Sequence, residues 1–293
     1  MAFVPIDDRD GWIWFDGEFV PWREARVHVL THALHYASSV FEGERMYNGQ
    51  IFKLTEHTNR LFRSAEVLDF KIPFTVAQIN DACKETCARN GLTDAYVRPL
   101  AWRGSEQVSV PAQNTTVHVA IAVWDWPSYF DAETKAKGIR LCWAPYKRPS
   151  PETAPTEAKA AGLYMIGTIN RHYADARGYA DAMLLDWRGY VAEATGANVF
   201  FVQDGRVITP PADGAILNGI TRQTVLEMLA GRGIEVEVRH ILPEELAGFS
   251  ECFLCGTAAE ITPVSEIGDH RFIPGDLSLG LMDEYSRLVR GES

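Results

Sequence analysis

Lysine is scarce in this chain of 293 residues, and the last of only seven lysines stands at position 159. The formal net charge is −11 and the pI is near 5.2, so the clustered positive charge that binds nucleic acid is lacking. No apolar stretch approaches the roughly 20 residues that cross a bilayer, and the N-terminus lacks a basic region followed by an apolar run. These absences argue against nucleic acid and membrane partners and predict a cytoplasmic protein.

Cysteine is also sparse, with five residues in an odd number. Cys252 and Cys255 form a CxxC, but the sequence around them, SECFLCGTAAE, predicts a strand on which the two sulfurs face opposite sides. Buried thiols are therefore favoured over a redox pair. Two further pairs have no third ligand nearby and are predicted to be structural, without a metal: Cys83 with Cys87, and His32 with His35.

Aromatic residues and hairpin signals are plentiful. Asp-Gly or Asn-Gly lies between apolar or alternating segments in WIWFDGEFV, MYNGQIF and FFVQDGRVI, and LLDWRGYVAE is a weaker fourth hairpin. Helical patterns are found over 55–69, 76–90, 164–177, 221–232 and 276–290. Hairpins and helices without regular strand–helix alternation predict an α+β fold.

The length and a composition shift predict two domains. Residues 128–138 are polar and helix-like between two apolar strands, VHVAIAVWDW and IRLCWAPY. We expect a smaller N-terminal domain over 1–130, a linker over 131–137 and a larger domain over 138–293, and we find no internal repeat.

Lys159 lies among small residues in TEAKAAGLY. A lysine that performs covalent chemistry must be neutral when it attacks, which requires desolvation or a neighbouring positive charge. Small neighbours also let a flat ligand lie close to the chain. On this nonamer alone, an ordinary lysine in an alanine-rich turn is the simpler interpretation.

Two further features favour a cofactor. Glu193 ends an apolar strand before the small-residue loop ATGAN, where its carboxylate could face a ring nitrogen or simply water. ILNGITRQTVLEML places free amides and the hydroxyl of Thr221 at a helix start, where they could bind an anion or simply cap the helix. CGTAA offers the hydroxyl of Thr257 and more amides. An amine, a carboxylate and two anion-binding turns together predict pyridoxal 5′-phosphate (PLP), a cofactor with an aldehyde, a pyridine ring and a phosphate.

The chain resembles the fold-type IV PLP-dependent aminotransferases, and most closely the branched-chain amino acid aminotransferases. The resemblance runs nearly end to end through motifs in the family's order: HALHYASSVFEGER, EHTNRL, YVRPL, AKAAGLY, GYADAMLLDWRGYVAEATGANVFFV, LNGITR and GTAAEITPV. It implies a two-domain enzyme that transfers the amino group of leucine, isoleucine or valine to 2-oxoglutarate, and that works as a homodimer or larger homo-oligomer.

The resemblance also implies the cofactor contacts. Lys159 would bind PLP covalently and move the proton between the substrate and the cofactor, and Glu193 would bind the pyridine nitrogen. Arg60, which the residues alone suggest is a surface arginine, would pair with the phosphate. The full implied cofactor set is Arg60, Lys159, Tyr164, Glu193, Leu217, Ile220, Thr221 and Thr257.

On the substrate side, the resemblance implies that Tyr96 and the amides of Ala258 and Ala259 bind the α-carboxylate. Arg98 would bind the second carboxylate of 2-oxoglutarate, and Tyr36 would reach in from a second subunit. The implied substrate set is Tyr36, Phe41, Tyr96, Arg98, Trp126, Tyr129 and Ala258.

Some positions depart from the family pattern. Leu163, Ser38 and Glu44 differ from the usual Asn, Gly and apolar residue, which puts specificity in doubt rather than the cofactor.

Three competing functions stay open. An (R)-selective amine or D-amino acid transaminase of the same fold would be expected to lose the pair formed by Tyr96 and Arg98, which this chain retains. A lyase like aminodeoxychorismate lyase would share the PLP residues but consume no amino acceptor. A non-catalytic metabolite-binding protein could keep the scaffold, although it would not need both Lys159 and Glu193.

Overall fold

The computed structural model describes residues 4–126 and 132–292. The chain forms two compact units, one of Met1–Pro127 with Ala158–Gly162 and one of Ser128–Glu157 with Leu163–Ser293. Each unit combines one sheet with helices that are not in regular alternation with its strands, which confirms the predicted α+β class.

The first unit is built on an antiparallel sheet with the strand order β2-β1-β7-β6-β4-β5, and β3 also pairs with β6. Its strands are β1 Trp12–Phe15, β2 Glu18–Pro21, β3 Ser39–Phe41, β4 Glu44–Tyr47, β5 Gln50–Ile51, β6 Ala95–Arg103 and β7 Val117–Trp124. Its helices are α1 His32–Tyr36, α2 Leu54–Val67 and α3 Val76–Arg89. Apolar side chains of α2 and α3 form one core with the sheet, including Leu61, Ile79, Val97 and Ile121.

The second unit contains a mixed sheet with the order β10-β9-β8-β15-β14-β11-β12-β13. Its strands are β8 Ile139–Trp143, β9 Asp181–Leu185, β10 Val191–Ala194, β11 Asn198–Gln203, β12 Arg206–Thr209, β13 Val236–Val238, β14 Glu251–Gly256, β15 Glu260–Ile267 and β16 His270–Arg271. Because β10 also pairs with β11, the strands from β8 to β11 with β14 and β15 close into a ring around an apolar core.

Four further helices complete the described chain: α4 Ala132–Lys137, α5 Ala161–Asp175, α6 Ile220–Gly231 and α7 Asp276–Arg290. The stretch from Ala132, part of the predicted linker over 131–137 and helix-like in its sequence, forms a helix that packs against β15 of the second unit. No helix in the described ranges has the length and apolar character needed to cross a membrane.

The predicted hairpins are confirmed, and their turns have the backbone that Asp-Gly and Asn-Gly favour. Asp16, Asn48 and Asp204 adopt φ of 50°, 48° and 50°, each followed by a glycine with positive φ. Two consecutive left-handed residues match the twist of the flanking strands. The turns thus set the register of β1 with β2, β4 with β5, and β11 with β12.

The cysteines are buried, as the sequence predicts, and both histidines are hydrogen-bonded within the first unit. Cys252 and Cys255 are fully buried on β14, and all five thiols are free and buried in the described chain. The ring of His32 bonds the hydroxyl of Ser38 at 2.6 Å and the carbonyl of Ser109 at 2.9 Å. His35 bonds the carbonyl of Val29 at 3.0 Å.

Candidate active site

Lys159 lies on a short segment that pairs with strand β3. Ala160 forms an antiparallel bridge with Val40, and the amide of Phe41 donates to the Lys159 carbonyl at 3.2 Å. The amide of Lys159 donates in turn to the hydroxyl of Ser64 on α2 at 3.0 Å. The small residues on either side of Lys159 are buried by this pairing, while its Nζ lies 4.8 Å from the centre of the Phe41 ring.

Arg60 lies on α2 and binds a fully buried carboxylate. Its Nε donates to Oε1 of Glu42 at 2.6 Å, and its Nη2 donates to Oε2 at 2.8 Å. Nδ1 of His57, one helical turn earlier, donates to the same Oε2 at 2.7 Å. The side chains of Arg60 and His57 thus meet one anion from the same helix face.

The ionisation of this cluster follows from its burial and its charges. Burial opposes ionisation of Glu42, but the charge of Arg60 and the hydrogen bonds from Arg60 and His57 hold the pKa of Glu42 well below its ordinary value. Burial lowers the pKa of His57, which the charge and hydrogen bond of Glu42 partly oppose. The cluster is therefore an Arg60–Glu42 ion pair to which a neutral His57 donates a hydrogen bond from Nδ1.

The predicted substrate residues of the first unit lie together. Arg98 donates from Nη2 to the hydroxyl of Tyr96 at 3.0 Å, and its guanidinium lies 4.7 Å from the Phe41 ring centre. The Trp126 ring lies 5.0 Å from that of Tyr96. Gly43 is required here, because a Cβ at this position would lie 2.0 Å from the Tyr96 hydroxyl.

A cavity of about 900 Å³ opens on this group within the first unit. Phe41, Arg98, Trp124 and Ala161 are among the residues that line it, and Arg23, Arg26, Asp7 and Asp8 also line it, so it combines aromatic walls with charges of both signs. The aromatic part of the lining suits an apolar side chain, and Arg98 beside it offers a partner for a carboxylate.

Two predicted substrate residues stand apart from this group. Tyr36 stacks on the ring of His32 at 4.5 Å and is 45% exposed. Tyr129 lies outside the described residues.

In the second unit, Glu193 lies on β10 directly opposite Asn198 of β11. Its Oε2 accepts hydrogen bonds from the side-chain amide of Asn198 at 3.1 Å and from the main-chain amide of Leu217 at 3.3 Å. Its Oε1 lies 3.1 Å from Nε of Arg148. Glu193 is only 8% exposed. Its carboxylate therefore does not simply face water, which was the alternative that the sequence left open.

The predicted anion-binding turns are close to this carboxylate. Helix α6 begins at Ile220, and Thr221 in its first turn is buried. Gly219 precedes the helix, and a Cβ there would lie 2.2 Å from Oδ1 of Asn198. Asn198 itself is held through Nδ2 by Glu193 and by the Leu217 carbonyl at 2.9 Å.

The second predicted turn and helix α5, which carries Tyr164, lie next to the small-residue loop 194–198 that follows Glu193. Thr257 and Ala258 lie in the turn between β14 and β15, next to Gly256, whose added Cβ would be 3.5 Å from Ala197. Tyr164 is half-buried in the first turns of α5. A Cβ on Gly167 of this helix would lie 2.9 Å from the Thr195 carbonyl.

Four residues that bind predicted site residues directly were missed from the sequence: Glu42, Ser64, Arg148 and Asn198. His57, which binds Glu42, was missed with them. Glu42 and Asn198 lie inside two of the motifs that carry the family resemblance. A polar residue within a largely apolar segment was the sequence signal that could have identified each of them. Arg148 lies 45 positions before Glu193, and no local pattern joins them.

The donor set fits PLP in chemical type. The first unit holds an amine and a guanidinium at Lys159 and Arg60, and the second holds a buried carboxylate at Glu193 beside a helix start and a small-residue turn. These are the groups that bind an aldehyde, a phosphate and a pyridinium nitrogen.

Comparisons with known proteins identify the family. The Amino-transferase class IV family matches residues 39–267. The branched-chain-amino-acid aminotransferase of Pseudomonas aeruginosa is 40% identical over 99% of this chain and 96% of its own length, and that of Escherichia coli K12 is 39% identical over 87% and 84%.

Solved structures agree with the sequence comparison. The branched-chain aminotransferase of Thermoproteus uzoniensis, solved with norvaline, matches with a TM-score of 0.93 and 36% identity, over 97% of this chain and 96% of that one. The branched-chain amino acid aminotransferase of Thermobaculum terrenum, solved in its PLP form, matches with a TM-score of 0.88 and 32% identity, over 97% and 95%.

The predicted fold-type IV resemblance and PLP dependence are thereby confirmed for the family. The chain belongs to the class IV aminotransferases and, within them, to the branched-chain amino acid aminotransferases.

Proposed function

We propose that this chain transfers the amino group of L-leucine, L-isoleucine or L-valine to 2-oxoglutarate with PLP as cofactor, releasing branched-chain 2-oxo acids and glutamate. The placement of the Lys159 amine 4.8 Å from the Phe41 ring, beside the Tyr96–Arg98 pair, is the observation that supports it most strongly. It puts a proton-transfer group, an apolar wall and a carboxylate-binding pair in one unit.

The cofactor supplies an electron sink for the charge left on the substrate's Cα. Lys159 would hold the cofactor through Nζ, and the same amine, when free, would remove the proton from Cα and later return a proton, acting as base and then as acid. Glu193 would keep the pyridine nitrogen protonated, and its bonds to Asn198 and Leu217 fix the direction of the carboxylate.

The remaining cofactor contacts are assigned from the resemblance. Arg60, the amide of Ile220 and the hydroxyls of Thr221 and Thr257 bind the phosphate, because a helix start and a guanidinium both favour a dianion. The Tyr164 hydroxyl binds the ring oxygen O3′.

Substrate recognition divides between polar and apolar contacts. Tyr96, Thr257 and the amides of Ala258 and Ala259 bind the α-carboxylate, and Arg98 binds the second carboxylate of 2-oxoglutarate. The side-chain pocket draws on Tyr36, Phe41, Trp126, Tyr129 and Tyr164. Since one methylene is worth about 1–3 kcal/mol in such a pocket, the three branched-chain donors are separated only weakly.

We also propose a homodimer. Exposed apolar side chains are concentrated in two neighbouring segments, 27–36 and 108–110, which His32 joins through the Ser109 carbonyl. Val29, Leu34 and Val110 are 70%, 65% and 81% exposed. Exposed apolar side chains grouped in this way are typical of an interface, and Tyr36 among them would reach the partner's substrate. The free thiols favour the cytoplasm as the compartment.

The function is tested with purified holoenzyme, L-leucine and 2-oxoglutarate. Glutamate should form in amounts equal to the branched-chain 2-oxo acid. Turnover of an (R)-amine or a D-amino acid without leucine turnover would favour the competing transaminase, and pyruvate release from aminodeoxychorismate without an acceptor would favour the lyase. Retention of Tyr96 and Arg98 as a bonded pair favours the proposed reaction.

A further inference from the structure

One face of helix α2 carries three polar side chains at helical spacing, His57, Arg60 and Ser64. Two of them, His57 and Ser64, are 1% exposed, so this face is polar inside the unit's interior. Ser64 accepts from the amide of Lys159, and the other two bind Glu42. The face therefore contacts both the lysine segment and the carboxylate.

The main chain beside Glu42 also contacts the segment that contains Lys159. Glu42 follows Phe41, whose amide donates to the Lys159 carbonyl, and its own amide donates to the Pro99 carbonyl at 2.8 Å. The main chain of Glu42 is thus fixed by its neighbours in the sheet. Its carboxylate is fixed by the two bonds from Arg60 and the one from His57.

We propose that Glu42 is a positioning residue for cofactor capture: it holds the guanidinium of Arg60 at a set place relative to Lys159. The proposal rests on the phosphate-binding role of Arg60 under the proposed function. A long arginine side chain loses much rotational freedom when it binds a phosphate, and a residue that has already fixed it reduces that loss. The planar fork of arginine matches a carboxylate at two points, which makes the fixation directional.

If Glu42 only balanced the charge of Arg60, the effect of its removal on PLP affinity would be the opposite. The negative charge of Glu42 offsets that of Arg60, so its removal alone would strengthen attraction for a phosphate dianion. If Glu42 only balances charge, Glu42→Gln should bind PLP as tightly as the original protein or more tightly. If Glu42 positions Arg60, the same variant should bind PLP more weakly.

Glu44 provides the matched control. It lies two residues farther along the chain and is equally buried, but among the described residues its carboxylate oxygens have no hydrogen-bond partner. Glu44→Gln therefore makes the same substitution in the same segment without breaking a bond to Arg60, and without removing a charge, because burial raises the pKa of Glu44 and keeps its carboxyl protonated.

The test is equilibrium dialysis of the holoenzyme against graded PLP concentrations, with bound cofactor measured by visible absorption. Glu42→Gln should raise the Kd for PLP about ten- to hundredfold, the range for losing a hydrogen bond to a charged group. Its kcat at saturating PLP should stay within about threefold of the original, and Glu44→Gln should change neither quantity. Glu42→Asp retains the charge but shortens the side chain, and should also weaken PLP binding if Glu42→Gln fails to fold.

A double-variant cycle separates this inference from the proposed function. Arg60→Gln should weaken PLP binding, and adding Glu42→Gln to it should weaken binding no further, because Glu42 acts through Arg60. Additive losses, or unchanged or tighter binding in Glu42→Gln and Glu42→Asp, contradict the positioning role alone. An Arg60→Gln variant that binds PLP normally removes the phosphate role of Arg60 itself, and the inference with it.

Discussion

At the scale of single residues, the proposed chemistry depends on how neighbouring residues hold three side chains, those of Lys159, Arg60 and Glu193. The main chain of Lys159 is held by β3 and α2, Arg60 is bound by Glu42, and Glu193 is bound by Asn198 and Leu217. Fixed directions of this kind let groups act without reorganising during the reaction.

The first residue-scale prediction concerns Lys159. Lys159→Ala removes the covalent attachment and the proton-transfer group, so glutamate formation from leucine should fall by at least about 10²- to 10⁴-fold. Lys147→Ala removes an exposed lysine twelve positions earlier and should behave as the original protein. Initial rates at saturating PLP measure both, and a Lys159→Ala variant with near-normal turnover would contradict the assigned role.

Glu44 gives a prediction on stability and pH. Burial, and then the charge of Glu42, raises the pKa of Glu44 well above its ordinary value of 4.5, so the folded protein retains a proton that the unfolded chain releases. The free energy of unfolding is therefore highest below about pH 4.5 on account of this group, and falls as pH rises toward the raised pKa.

Glu44→Met should remove this penalty. We expect the free energy of unfolding to rise by about 1–3 kcal/mol at pH 8 and to depend less on pH between about 5 and 8. Urea unfolding at about pH 6 and pH 8 measures both effects. Glu85→Met, on the exposed side of α3, is the control, and an equal pH slope in Glu44→Met and the original protein would show that Glu44 is ionised when folded.

At the scale of elements, sequence patterns predicted most of the local structure. The five predicted helices match α2, α3, α5, α6 and α7 within about three residues at each end, and the four hairpins match four strand pairs. Capping and turn chemistry act over a few residues, so the sequence contains them. Thr75, for example, begins α3 with a reciprocal bond pair to Gln78.

The sequence did not predict contacts between residues that lie far apart along the chain. Ala160, next to Lys159, pairs with Val40 from 120 positions farther along the chain, and no local pattern predicts that bridge. The same applies to Arg148 with Glu193. Lys159 and Glu193 became site candidates through their own chemistry, whereas Arg60 became one only through the family resemblance, and its buried carboxylate partner became visible only in the structure.

Gly219 allows an element-scale test. Gly219→Ala should displace Asn198, which is held by Glu193 and Leu217 and cannot move freely, and so should shift the start of α6. We expect the Kd for PLP to rise about tenfold or more from the loss of charged hydrogen bonds. Gly231→Ala at the other end of α6 meets open space and should leave PLP binding unchanged, and equal binding by both variants would contradict this account of the turn.

At the scale of the whole molecule, we propose that the two compact units correspond to the two domains predicted from the sequence. The segment Ala158–Gly162 belongs with the first unit, which the composition did not indicate. A chain that contributes one short segment to another unit cannot be divided by composition alone, since that segment is joined by sheet pairing rather than by sequence proximity.

Assembly gives the whole-molecule prediction. Val110→Asp places a charge on the exposed apolar surface of 27–36 and 108–110, and burying it in a dimer would be costly. Light scattering should show a shift from dimer to monomer, with turnover reduced about tenfold or more as the partner's Tyr36 is lost. Ile273→Asp, at a second-unit side chain that is 78% exposed, should remain dimeric. A dimeric, fully active Val110→Asp variant would place the interface elsewhere.

The central claim is tested most directly by locating the bound cofactor. Holoenzyme is reduced with borohydride, digested, and its peptides are sequenced by mass spectrometry. The account predicts one pyridoxyl group per chain, on the peptide that contains Lys159. A pyridoxyl group on any of the other six lysines, or on none, would contradict it.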